Sequence, residues 1–211
     1  MDCPPPPEYF RLRAAVIRAF TLIELLAVCA VMSLLLALLI PAIGSLMDSY
    51  QITVTTADLN SLTQTARQMA ITSAQAVEVR LYKVADSGGV DRYRAYRILT
   101  RSKTGMINQG VIRQMPDGLA ILESSASSIL EDENLQGNES GLSGYPNNTP
   151  YVRLRFLPNG SIDLPGTVPT VNAWTLTIAT TKRANAGDAL PANFATLSFD
   201  PLLGTTSVWR P

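Results

Sequence analysis

The chain has 211 residues, 46% hydrophobic and 16% charged, with 17 Lys+Arg against 17 Asp+Glu; that suffices for one ordinary core and gives a nucleic-acid role no support. It has no histidine and 2 cysteines, which removes the commonest zinc sets and the His-based nucleophile arrangements, so no metal and no cofactor is expected. Cys29 lies inside an apolar run, which argues against a disulfide with Cys3.

The chain opens with "MDCPPPPEYFRLRAAVIRA", proline-rich at its start and extended rather than part of a domain. From Leu25 to Gly44 there is no charged residue, a run close to the roughly 20 residues that a helix needs to cross a bilayer. Arg11, Arg13 and Arg18 precede it and no Lys or Arg follows until Arg67, so the positive-inside bias keeps the N-terminus cytoplasmic and puts the remainder across the membrane. A cleaved secretory signal would have a shorter apolar core and a small-residue cleavage site. A lipoprotein reading of "LAVC" leaves half the apolar run after the cysteine. A plain signal anchor accounts for length and orientation but not for Glu24. An acid near a helix centre in lipid costs on the order of 2.5 to 3.5 kcal/mol, less near the end, and such groups are by default paired and functional.

Past Pro41, which removes one backbone donor and is expected to kink the helix, Ile43, Leu46, Met47, Tyr50, Val54 and Ala57 recur at helical steps. Leu59, Leu62, Ala66 and Met69 continue with a change of phase. One helix from about Thr21 to Ser73 is expected, with its second half amphipathic, although "QITVTTADLN" is rich in β-branched residues. From Ala76 the period becomes two. "VEVRLYKV" and "YRAYRIL" read as a hairpin around "ADSGGVD", and "GVIRQM" and "GLAILES" flank the turn "PDG". Further strands are expected at "YVRLRFL", "AWTLTIAT" and "ATLSFD", giving an antiparallel sheet whose packed face receives the amphipathic helix. The segment 124–150, dense in Ser, Asn, Gly and Glu, reads on composition as a mobile surface loop joining strands, with a partner-binding loop as the alternative. Its Glu131, Asp132 and Glu133 do not form a Ca²⁺ loop of the EF-hand type. There is no nucleophile elbow and no phosphate loop, so an enzyme is not expected.

The stretch "RAFTLIELLAV" resembles the class III leader junction of type IV prepilins and of the pseudopilins of type II secretion. Arg18, Phe20, Thr21, Leu22, Ile23 and Glu24 match in order, and Pro41 falls where these families kink the first helix; the sequence departs at Ala19, where the family has Gly. "IRQMPDGLAI" and "LRFLPNGSI" resemble turns of the H-type minor pseudopilins and the FimT-like minor pilins. The resemblance implies a pilin-like α+β fold: a leader over 1–19, a transmembrane and assembly half of the helix over 20–44, an amphipathic half over 45–75, and a β-rich head over 76–211. It also implies cleavage between Ala19 and Phe20 by a prepilin peptidase that reads Arg18 and Thr21 to Ile23, and N-methylation of Phe20. Glu24 would pair with a neighbouring subunit's amine and set register. The partners so implied are the peptidase, other pilin or pseudopilin subunits and an inner-membrane assembly platform, with the head in the periplasm. The alternative is an uncleaved single-pass protein whose β-rich head binds an envelope partner.

Overall fold

A computed structural model describes residues 20–102, 105–165, 173–181 and 190–211, without the side chains at 38–43, 45, 101, 102 and 106–109. Arg18, Ala19 and the rest of 1–19 lie outside the described residues, as does the side chain of Pro41. The chain divides into two units, Met1–Gly44 and Ser45–Pro211.

Helix α1, Leu22–Ser73, runs through both units. In its β-branched stretch two threonine hydroxyls bond back along the helix, while that of Thr55 is buried without a hydrogen-bond partner among the described residues. Thr53 Oγ1 donates to Ser49 O at 3.0 Å and Thr56 Oγ1 to Ile52 O at 2.7 Å, so these two side chains satisfy themselves without leaving the helix. The helix stops at Ala74, whose backbone is left-handed at φ 50, the conformation that usually closes a helix C-terminus.

The head is an antiparallel sheet of nine strands among the described residues: β1 Val77–Ala85, β2 Asp91–Ser102, β3 Gly105–Gln114, β4 Leu119–Ile121, β5 Gln136–Glu139, β6 Thr149–Phe156, β7 Trp174–Thr180, β8 Phe194–Phe199 and β9 Thr206–Trp209. The order across it is β5-β6-β1-β2-β4-β7-β8-β9, with β3 also on β2. The expected hairpin is β1-β2, and its turn is held by the Asp86 carboxylate, which accepts from the N–H groups of Gly88 at 2.8 Å and Val90 at 3.0 Å. Tyr82 pairs with Ala95 but Lys83 with Tyr93, so Arg94 is the extra residue of a β-bulge.

Alternation along β1 sends Val77, Val79 and Leu81 into the main core with Ile52, Leu59 and Ala66 of α1, and Glu78, Arg80 and Tyr82 to the other face. The helix packs on the sheet as expected through the second repeat, with Leu59, Leu62 and Ala66 in the core and Met69 packed against it, but not through the first. Ile52, Thr55, Thr56, Leu59, Thr63, Ala66 and Ala70 are buried, while Leu46, Met47, Tyr50, Val54 and Ala57 are exposed. At about 100° per residue the two sets lie on roughly opposite sides of the helix. The apolar repeat at 46–57 is therefore not the core face.

The segment 124–150 is not a loop that only joins strands. Helix α2, Ser128–Glu131, buries Ile129 and Leu130, a 3₁₀ turn buries Leu135, and β5 follows directly. Its serines serve the backbone: the hydroxyls of Ser127 and Ser128 accept from the N–H groups of Thr177 and Thr175, both at 2.9 Å. Polar composition here marks hydrogen-bonded contact with β7, which a reading by periodicity passes over.

Candidate functional site

The residues singled out at the start of α1 form one exposed turn. Thr21 is the residue before the helix: its Oγ1 accepts from the Glu24 N–H at 3.3 Å, and its carbonyl accepts from Glu24 and Leu25 at 3.1 and 3.2 Å. Thr-x-x-Glu is the sequence of a capping box, and a carboxylate in the first turn is favoured by the helix dipole. Glu24 thus has a local reason for its place, and it stands in this turn with Phe20, Thr21, Leu22 and Ile23, all exposed.

Beyond the cap the helix is apolar on every side. Large apolar side chains from Phe20 to Leu36 are exposed, from 47% at Val28 to 83% at Leu22. The consecutive residues Leu34, Leu35 and Leu36 point some 100° apart, and all three are exposed. A helix apolar all round is stable only when covered all round, by other helices or by lipid. Among the described residues no helix is long and apolar enough to cross a membrane; of the run Leu25 to Gly44, the side chains at 38–43 lie outside the described residues. Ser33 Oγ donates to Cys29 O at 2.8 Å, which absorbs the hydroxyl, and Cys29 is a free thiol.

In the head, the outer face of β1, β2 and β6 carries an ionic network that the sequence reading did not single out. Arg80, Arg97 and Arg153 stand abreast on paired positions. Glu139 of β5 bridges Arg80 and Arg97, accepting from Arg80 Nη1 and the Tyr82 hydroxyl at 2.9 and 2.7 Å and from Arg97 Nη2, while Arg153 Nη2 donates to Asn134 O at 3.3 Å. Glu78, with 2% of its side chain exposed, accepts from Arg80 and Arg155 at 2.9 and 2.8 Å. The Tyr151 ring lies over the Arg80 guanidinium at 4.3 Å.

Burial alone would push the Glu139 carboxyl up, but the Tyr82 hydroxyl and the guanidinium groups of Arg80 and Arg97 outweigh it and hold the group below the usual carboxylate range. Burial, with Glu139 beside it, pushes the Tyr82 phenol up. Each acid here is matched to arginine, so the cluster clamps β5 to the sheet and offers no free base or nucleophile. The signal was present as "VEVR" and "VRLR", charges at every second position on strands that pair. Among the described residues no cluster of His, Cys, Asp and Glu is arranged to hold a metal ion.

Compared with known proteins, residues 55–189 match the family model described as type II transport protein GspH. Among solved structures, the minor pseudopilin EpsH from the type 2 secretion system of Vibrio cholerae is similar at 12% identity and a TM-score of 0.43, over 76% of this chain and 98% of that one. The type IV minor pilin FimU of Pseudomonas aeruginosa strain PAO1 is similar at 16% identity and a TM-score of 0.46, over 77% of this chain and 93% of that one. No curated protein matches the sequence.

Proposed function

The chain belongs to the GspH family of type II transport proteins, and from that premise we propose that it is a minor pilin-like subunit, made as a prepilin and assembled through its first helix into a pseudopilus or type IV pilus. The family is one of structural, non-enzymatic subunits. The observation that carries the reading is the helix from Leu25 to Leu36, apolar on every side and exposed, which needs a covering of lipid before assembly and of other subunits after it.

In this reading the peptidase recognises Arg18 and Thr21 to Ile23 and cuts between Ala19 and Phe20. The new amine at Phe20 is methylated, and the Glu24 carboxylate pairs with the amine of a neighbouring subunit as the chain leaves the inner membrane through the assembly platform. Thr21 serves twice, first in the recognised sequence and then as the cap of the shortened chain's helix. Pro41 supplies a kink between the assembly half of α1 and the half that packs on the head, and the head lies in the periplasm.

The test is intact-mass and N-terminal peptide analysis of the protein from its native membrane, with and without the prepilin peptidase. A chain beginning at methylated Phe20, and only when the peptidase is present, is the expected result. A chain that keeps Arg18 and Ala19 would overturn processing and leave an uncleaved anchor with an envelope-binding head.

A further inference from the structure

Strand β3 is irregular where it passes Arg97. Tyr96 pairs with Arg113 and Ile98 with Gln109, so the single residue Arg97 of β2 stands opposite Gly110, Val111 and Ile112 of β3, and Gly110 takes the left-handed φ of 89 that such a bulge admits. Between these three residues and the segment 141–145 lies a cavity of about 410 Å³, within the range of roughly 300–1,000 Å³ that ligand sites occupy. Ile112, Leu142 and Tyr145 give it apolar walls continuous with the outer cluster of Tyr82, Val84 and Ala95. Val111, which also lines it, is 87% exposed and marks its mouth.

The polar end of the cavity is Arg97, itself only 5% exposed. Its Nε donates to the Tyr82 hydroxyl at 2.8 Å and its Nη2 donates to Glu139. Its Nη1 has no hydrogen-bond partner among the described residues, yet it is not sealed from solvent. A guanidinium group has donors and no acceptor, so whatever completes this end must accept. Glu139 also lines the cavity, but both its oxygens are occupied, one by Arg97 and the other by Arg80 and Tyr82. The charges point the same way. Arg80, Arg97 and Arg155 share the carboxylates of Glu78 and Glu139, and Asp163, half exposed, meets Arg155 at 3.4 Å; Arg97 has Glu139 alone, and shares it with Arg80.

We propose that the cavity binds an apolar carboxylate, its charged end on Arg97 Nη1 and its aliphatic body against Val111, Ile112 and Leu142. A hydrogen bond from guanidinium to carboxylate is of the strong, charge-assisted kind. An ammonium group would meet Arg97 and find no free acceptor on Glu139. The C-terminal residue of a peptide and a free aliphatic acid present this same chemistry. The site lies within the unit Ser45–Pro211, so it holds for a cleaved and an uncleaved chain alike.

The experiment titrates the full chain in detergent with N-acetyl-leucine and with hexanoate, each beside its amide, and reads binding by calorimetry against detergent alone. Each acid should bind about tenfold or more tightly than its amide, which has the same body without the charge. Tighter binding of N-acetyl-leucine assigns the site to a peptide C-terminus, and tighter binding of hexanoate assigns it to a free aliphatic acid. Val111→Glu should weaken acid binding by about tenfold, and Val111→Lys should hold or tighten it, with melting temperatures unchanged at so exposed a position. Arg97→Gln should abolish the preference for acid over amide. Its melting temperature is measured alongside because Arg97 also holds Glu139, and where that variant fails to fold the Val111 pair decides. Acid and amide binding alike, neither acid binding up to about 10 mM, or a preference untouched by Val111→Glu would overturn the proposal and leave Nη1 to water.

Discussion

Gly204 and Gly160 touch through their backbones. A Cβ on Gly204 would stand 1.8 Å from the Gly160 carbonyl oxygen, and Gly204 also has a left-handed φ of 63. Two separate physical costs therefore meet at this residue. Gly141, with φ 79 and open space around its missing Cβ, carries only the cost of the left-handed backbone. Gly141→Ala should lower stability by about 1–2 kcal/mol, the usual cost of a left-handed alanine. Gly204→Ala should lower it by more, about 3–5 kcal/mol, because the turn must also pull away from Arg67 and Gly160. Denaturant unfolding of both variants checks the difference, and equal losses would show that the close approach contributes nothing. The "PNG" turn is legible in the sequence from its residue types, but the demand on Gly204 is not, since it arises only when two distant turns are brought together.

At the scale of the element, α1 shows a pattern right in period and face over Leu59, Leu62 and Ala66 but right in period and wrong in face over 46–57. The repeat over 46–57 is helical, and the helix ends at Ser73 as its sequence suggests. Yet the core takes the stripe through Ile52, Leu59 and Ala66, completed by Thr55, Thr56 and Thr63, which hydropathy counts as polar. Thr56 buries itself at little cost because its hydroxyl is satisfied within the helix. The two stripes are separable by mutation. Leu59→Ala should destabilise by about 2–5 kcal/mol, since a fully buried side chain leaves a cavity, whereas Val54→Ala should change stability by about 0.5 kcal/mol or less. Chemical denaturation of the two variants decides which face is core, and a larger loss at Val54 would reverse the assignment. The strands with plain alternation, β1, β2, β6, β7 and β8, are legible for the same reason that α1 is. Strand β5 is not, because its residues "QGNE" have no apolar alternation and join the sheet through the Glu139 clamp and the ladder to β6.

At the scale of the whole molecule, the ionic clamp couples the edge of the sheet to its centre and makes the head sensitive to acid. Glu139 titrates below the usual carboxylate range in the folded state, so its contribution is present at neutral pH, above the unfolded value of about 4.3, and is lost as pH falls through the lower folded value. Glu139→Gln should cost about 2–4 kcal/mol at pH 7, because it leaves Arg80 and Arg97 short of a counter-charge. The gap between variant and wild type should shrink as both are taken below about pH 4. Thermal melts across pH 3 to 7 measure this, and a gap independent of pH would assign the loss to packing instead of charge.

The closure of the head onto α1 also sets an order of events. Thr206 of β9 meets Asn60 and accepts from Gln64 at 2.9 Å, and Arg210 donates to Ser49 O at 3.1 Å and to Thr53, across sequence separations of 142 to 161 residues. Contacts so distant form slowly and last. A nascent chain emerging N-terminus first holds its helix ready long before the strand that will lock it exists. Until β9 arrives, the polar edge of α1 waits unpartnered beside a partly assembled sheet, in the kind of species that holding chaperones bind. Variants that loosen this late closure, such as Arg210→Ala, are therefore expected to expose the C-terminal strand to proteolysis before the rest of the head.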